Sequence, residues 1–153
     1  MDNTDNIIDL SGIREPFNTA YQNAYMMPKL KTLDVMSNTV YTFKLAKEYS
    51  NNPNHIYVIE GSSPNDRYLG KINPMGQFFG CGEYYKQCLD SLIRVSSNMS
   101  EATISYGRVW NKCGVCNRTL KTKISCLAGI GPICASRYGW KMYDNDGNII
   151  NEV

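Results

Sequence analysis

Cys113, Cys116, Cys126 and Cys134 follow one another as C-x2-C-x9-C-x7-C, and no other feature restricts the fold of this 153-residue chain so tightly. A CxxC pair turns the backbone so that two thiolates aim at one point. Zinc takes four such ligands tetrahedrally, at about 2.3 Å from each sulfur. The spacing therefore predicts a zinc module built on these four cysteines, with C-x7-C standing where a second C-x2-C is more usual. The N-terminal stretch MDNTDNIIDL is acidic and polar, unlike a secretory signal or a transit peptide. A reducing, cytoplasmic compartment is the expectation, and disulfides are rare there. A redox role for Cys113 and Cys116 is the competing reading. A thioredoxin-like CxxC, however, opens a helix inside a βαβ unit, whereas this pair follows a strand-like run and precedes a basic loop.

Charge is divided unevenly about this segment. Residues 1–101 carry nine Lys/Arg and eleven Asp/Glu, whereas residues 102–153 carry seven and three. No acidic residue lies between Ala102 and Tyr143. Arg108, Lys112, Arg118, Lys121, Lys123, Arg137 and Lys141 all fall there. Such a block implies an anionic partner, or simply charges that offset metal-bound thiolates. The 42% hydrophobic fraction is that of an ordinary globular domain. No apolar run approaches the ~18–20 residues of a membrane span, so no membrane partner is expected.

Four parts are expected along the chain. Residues 1–38 show no clear period and contain Pro16 and Pro28, which reads as an irregular arm with at most a short strand or helical turn near 17–27. Residues 39–110 read as an antiparallel sheet plus a helix. In 39–45, Tyr41, Phe43 and Leu45 alternate onto one face. Strands at 55–60, 67–72 and from 77 follow across short turns. In 83–95, Tyr85, Cys88, Leu89, Leu92 and Ile93 recur at helical spacing, making Cys88 a buried small hydrophobe. Residues 102–110 read as a fifth strand. Residues 111–143 form the zinc knuckle. Residues 144–153 form a hairpin or tail around an Asp-Gly turn. The glycine and Glu152 are misplaced for a calcium loop starting at Asp144. The fold class expected is α+β: an antiparallel meander, one packed helix and a C-terminal zinc knuckle.

Within the knuckle, Gly129 and Gly131 permit tight turns. Pro132 suits the first position of a short helix, Cys134 falls in its first turn, and Gly139 closes it. These residues resemble a phage and prophage zinc-knuckle family of unknown function with the signature C-x-x-C-x-R-x-L followed by S-x-x-x-G-I-G-P-x-C-A. The positions are Cys113, Cys116, Arg118, Leu120, Ser125, Gly129, Ile130, Gly131, Pro132, Cys134 and Ala135. The resemblance is specific over 109–137 and weaker over 39–137. It implies a phage-type protein in a bacterial cytoplasm with bound zinc, and it implies no biochemical activity. Relatives place a His a few residues before the first cysteine, and 106–112 has none here. Cys126 is then the fourth-ligand candidate, with the lone histidine, His55, as the alternative.

Four cysteines would leave zinc no open position for water, so hydrolysis is not expected. No H-x-E element, P-loop or dinucleotide fingerprint is present, and no small-molecule substrate is expected. The chain reads as a non-enzyme. The first functional expectation is nucleic-acid binding, DNA or RNA, through Arg118, Lys121, Lys123, Arg137 and Lys141. Trp110, Tyr138, Trp140 and Tyr143 are interleaved as stacking rings or, for the tryptophans in particular, as plugs of a small core. The alternative is a protein-interaction module, binding a host or phage protein in host takeover or counter-defence, in which zinc is purely structural.

Overall fold

Alternation of buried and outward side chains over residues 29–80 builds a single sheet. The computed structural model describes residues 7–61 and 65–150. The strands are β1 (Ile7–Asp9), β2 (Lys29–Asp34), β3 (Thr39–Leu45), β4 (Ile56–Glu60), β5 (Arg67–Ile72) and β6 (Gln77–Gly80). They lie in the order β1-β6-β5-β4-β3-β2, and every pair is antiparallel. Leu30, Phe43 and Val58 pair across β2, β3 and β4 and are fully buried. A bulge between Val58 and Ile59 shifts the register against β5.

The helices are α1 (Ser11–Gln22), α2 (Leu89–Ser97), α3 (Met99–Trp110), α4 (Lys123–Ala128) and α5 (Pro132–Arg137), with a 3-10 turn over Tyr84–Cys88. The α+β, antiparallel architecture is as expected, but α1, α2 and α3 share the sheet's core where one helix was anticipated. No helix among the described residues is long and apolar enough to cross a membrane.

Three expectations need correction. The stretch 1–38 is not irregular over its described part: it supplies α1 and both edge strands. Pro16 lies inside α1, where it removes a backbone donor. The helix persists because Ile13, Phe17 and Ala20 are buried along one stripe. The expected strand at 102–110 is helix α3. Met99, Ala102, Thr103, Ile104, Tyr106 and Gly107 are its buried residues, at helical spacing. The Asn98 side chain accepts the Glu101 N–H at 3.2 Å and starts the helix. The helix foreseen at 83–95 is a 3-10 turn followed by α2. Val95 rather than Ile93 faces the core, and Cys88 is buried as anticipated.

A polar cluster ties β2 to α2. Asp34 accepts hydrogen bonds from Ser91 Oγ at 2.6 Å, Ser37 Oγ at 2.6 Å and Arg94 Nη2 at 2.9 Å. Burial alone would raise its carboxyl. The bonds from Arg94, Ser37 and Ser91 outweigh that and hold it at about 2, below the ordinary 3.8. A depressed carboxyl stabilises the fold above pH ~4 and loses that contribution as pH falls toward 2. Asp34→Asn should cost about 1 kcal/mol at neutral pH after solvent screening, and should flatten the acid limb of stability between pH 4 and 2. Urea melts across that range check it; an unchanged acid limb would refute it.

Candidate metal centre

Helix α3 runs directly into the cysteine segment. Asn111, in the left-handed conformation, caps α3 by donating to the Gly107 carbonyl at 2.8 Å. Lys112 then bridges Thr119, and between them the chain makes a tight knuckle. The Cys113 N–H donates to the Arg118 carbonyl at 2.9 Å, and the Asn117 N–H to the Cys113 carbonyl at 2.8 Å. Asn117 takes the left-handed conformation that closes this turn. The second half is α4, whose cap is the Thr122 hydroxyl accepting from Ser125 N–H at 3.1 Å, followed by α5. Pro132 stands at the start of α5 and Cys134 in its first turn. Left-handed Gly139 follows its last turn, so the local reading of this half is realised.

The Sγ atoms of Cys113, Cys116 and Cys134 lie within 4.8 Å of one another. A zinc tetrathiolate has sulfur–sulfur edges of about 3.8 Å, so the three are already near the separation a metal needs. Cys113 and Cys134 are buried, and Cys116 is exposed. The electrostatics favour a cation. The Cys134 thiol donates to Cys113 Sγ, and the backbone N–H groups of Cys116, Gly131 and Val115 point at the same sulfur, so Cys113 is pulled well below the usual thiol range. Cys134 is pushed up in turn, first by that hydrogen bond to Cys113 and then by burial. Two adjacent buried thiols cannot both lose protons unless a positive charge takes their place.

Cys126 is not brought into this cluster. Helix α4 buries Ser125 and Ala128 and turns Cys126 outward, where its thiol donates to the Leu120 carbonyl at 3.3 Å. His55 is also outside it, its Nδ1 3.0 Å from the Pro53 carbonyl. Around the cluster stand Tyr25, Arg137 and Tyr138. The Arg137 guanidinium lies 4.5 Å from the centre of the Tyr25 ring. Tyr138 packs edge-on to Tyr25 and stacks on Trp140 at 4.8 Å. Arg118, Lys121, Lys123 and Lys141 are exposed, whereas Arg137 is half-buried. Trp140 is a partly buried plug, but Trp110 is 55% exposed and so is not one.

Arg108 has a role the charge pattern did not reveal. Its Nε donates to the Leu127 carbonyl at 3.0 Å, and its Nη2 to those of Tyr143 and Asp144 at 2.9 and 3.2 Å. It fastens α3 to α4 and to the C-terminal turn. That turn bridges Tyr143 to Ile149, and the Asp144 carboxylate is occupied with the N–H groups of Asp146 and Asn148.

The knuckle is also joined to the sheet. The β2 Lys31 N–H donates to the Gly114 carbonyl at 2.8 Å, and a side chain at Gly114 would run into the Lys31 carbonyl at 2.5 Å. The buried core accordingly continues from the sheet through Cys113, Val115, Leu120, Ile130 and Cys134.

Residues 104–139 match a family of unknown function (DUF6011). The matched segment starts within α3, ends just beyond α5, and contains all three clustered thiols. No curated protein and no solved structure matches the chain.

Proposed function

We propose that this chain is a small, non-enzymatic accessory protein in which Cys113, Cys116 and Cys134 hold a structural zinc ion and the basic C-terminal segment binds nucleic acid. Three soft thiolate donors in a compact, half-buried cluster favour zinc among the divalent metals. The donor set of this chain leaves a fourth corner for water or another donor. Among the described residues, Tyr25 and Tyr138 interact electrostatically with the cluster cysteines, with Arg137 beside them.

The observation that carries the nucleic-acid reading is the exposure of Arg118, Lys121 and Lys123 along the knuckle. None has a carboxylate partner among the described residues. Cations placed so are free to neutralise phosphates and release counterions. A fluorescein-labelled single-stranded 20-mer, DNA or RNA, should bind with an affinity that falls steeply with salt. Replacing Arg118, Lys121 and Lys123 by Ala should weaken binding about tenfold or more, and reduce the log–log salt slope by about 2. Binding that ignores salt would end this reading.

A second reading, an adaptor for a host or phage protein, is favoured by one observation. Tyr21, Met26 and Met27 are exposed around a cleft of about 530 Å³ that Phe17 and Leu45 also line. Capture of a protein that survives nuclease treatment and is lost on Met26→Asp would favour it over the first.

A further inference from the structure

The helices leave one face of the sheet open, and cross-strand register arranges that face in a way no single strand displays. Lys29 of β2 pairs with Lys44 of β3, Lys44 with Tyr57 of β4, Tyr57 with Lys71 of β5, and Lys71 with Phe79 of β6. These five residues make one row across five adjacent strands, about 19 Å long at the usual strand spacing. A second row runs Lys31, Thr42, Ile59, Tyr68. The residues that alternate with them, Leu30, Phe43, Val58 and Ile72, are fully buried on the opposite face. The open face thus carries four lysines interleaved with three aromatic rings.

The fold gains little from this arrangement. Like charges directly opposite one another across an antiparallel pair are destabilising, and Lys29 faces Lys44. None of the four lysines has an ion-pair partner among the described residues. Lys71 Nζ donates only to the neutral Asn52 side chain, at 2.8 Å. Burial and the nearby Lys29 and Lys112 charges hold Lys31 below the usual lysine range, with Asp66 opposing them. Lys112 belongs to the knuckle, so the cations of the sheet and of the metal-binding segment are neighbours. Of the rings, Tyr68 is exposed, whereas Tyr57 and Phe79 are half-buried. Tyr68 is 48% exposed, and meets Tyr57 edge-on at 6.0 Å. Lys44, Tyr57, Ile59, Asp66 and Tyr68 line a shallow depression of about 470 Å³.

We infer that this open sheet face is a binding platform for single-stranded nucleic acid, with the Lys29–Lys44–Tyr57–Lys71–Phe79 row tracking the backbone and Tyr57 and Tyr68 stacking on unpaired bases. Alternating cations and exposed rings at strand spacing is the chemistry that holds single strands without sequence preference. A duplex buries its base faces and could use the lysines alone. The inference rests on the nucleic-acid reading above and adds to the knuckle a second, larger contact surface.

The test uses full-length, metal-loaded protein and labelled dT15 and rU15, followed by anisotropy at 50 and 200 mM salt. Lys29→Ala with Lys44→Ala should weaken binding about tenfold at low salt and reduce the salt slope by about 1 to 1.5. It should leave the melting temperature unchanged or higher, because a repulsive pair is removed. Tyr68→Ala, at an exposed position, should weaken binding fivefold or more without changing the salt slope. A 15-base-pair duplex of the same length should bind less tightly than either single strand. If both sheet variants bind like the parent while the Arg118/Lys121/Lys123 variant loses binding, the platform is refuted and the knuckle reading stands. If the parent binds neither oligonucleotide, both fall.

Discussion

Metal content should fall from about one zinc per chain to near zero in Cys113→Ser and in Cys134→Ser, and should stay at about one in Cys126→Ser. The contrast is large because structural zinc in small folds contributes on the order of 10 kcal/mol to the folded state. Cys113 is the most demanding position: it is buried, it receives three backbone N–H groups, and it accepts a hydrogen bond from the Cys134 thiol. A serine hydroxyl there gives a poor ligand and no thiolate. Cys126 makes only weak hydrogen bonds at the surface of α4. Elemental analysis of protein purified without added metal decides the matter. Metal lost on Cys126→Ser would mean that α4 rearranges on binding and restores a four-thiolate site. Full metal in Cys113→Ser would remove the cluster as the binding site altogether.

Gly107→Ala should destabilise the protein by about 3 kcal/mol, the upper end of the usual cost of overpacking a close contact. On an exposed helix the same change would stabilise by up to about 1 kcal/mol, so the sign itself is diagnostic. A β-carbon at Gly107 would collide with the Gly129 carbonyl oxygen. In the reverse direction, a β-carbon at Gly129 would lie 2.5 Å from the Ile104 carbonyl oxygen, at a position already in the left-handed conformation. Neither partner is a side chain that can swing away, because both contacts are backbone. The melting temperature should drop by roughly 10 °C, and since α3 leads into Cys113, metal retention should weaken with it. A variant as stable as the parent would show that α3 and α4 do not interlock.

Legibility from sequence divides along a physical line. Strands β3, β4 and β5 were visible because alternation of Tyr41 and Phe43, or of Ile56 and Val58, is a local signal. The turn-and-cap chemistry of α5 was equally local, in Gly131, Pro132 and Gly139. Helix α3 is harder to read although its pattern is present: Met99, Ala102, Thr103, Tyr106 and Gly107 have helical spacing, and Asn98 with Glu101 is a helix-start signature. The β-favouring Thr103, Ile104, Tyr106 and Val109 masked it, and burial decided against them. Pro16 misdirected the reading of α1 in the same way. That Cys126 lies outside the three-thiol cluster depends on which face of α4 is buried, which ligand spacing does not encode. The lysine and aromatic row is least legible of all, since its members are scattered from Lys29 to Phe79 and meet only through strand register.

Among the described residues, the Gly114 carbonyl is the knuckle acceptor that meets the outer side of β2, at the Lys31 N–H. β2 is a six-residue edge strand, whereas the other edge, β1, has three residues. Hydrogen bonding to Gly114 plugs the middle of that longer edge. With the metal removed and the knuckle loosened, Lys31 would present a free donor in a strand backed by Leu30 and Leu33, an open template for another chain. If the thiol cluster holds a metal whose loss loosens the knuckle, self-association through β2 is the failure mode to expect of the stripped protein, with Lys29 and Lys31, which flank Leu30, as the remaining brake on it.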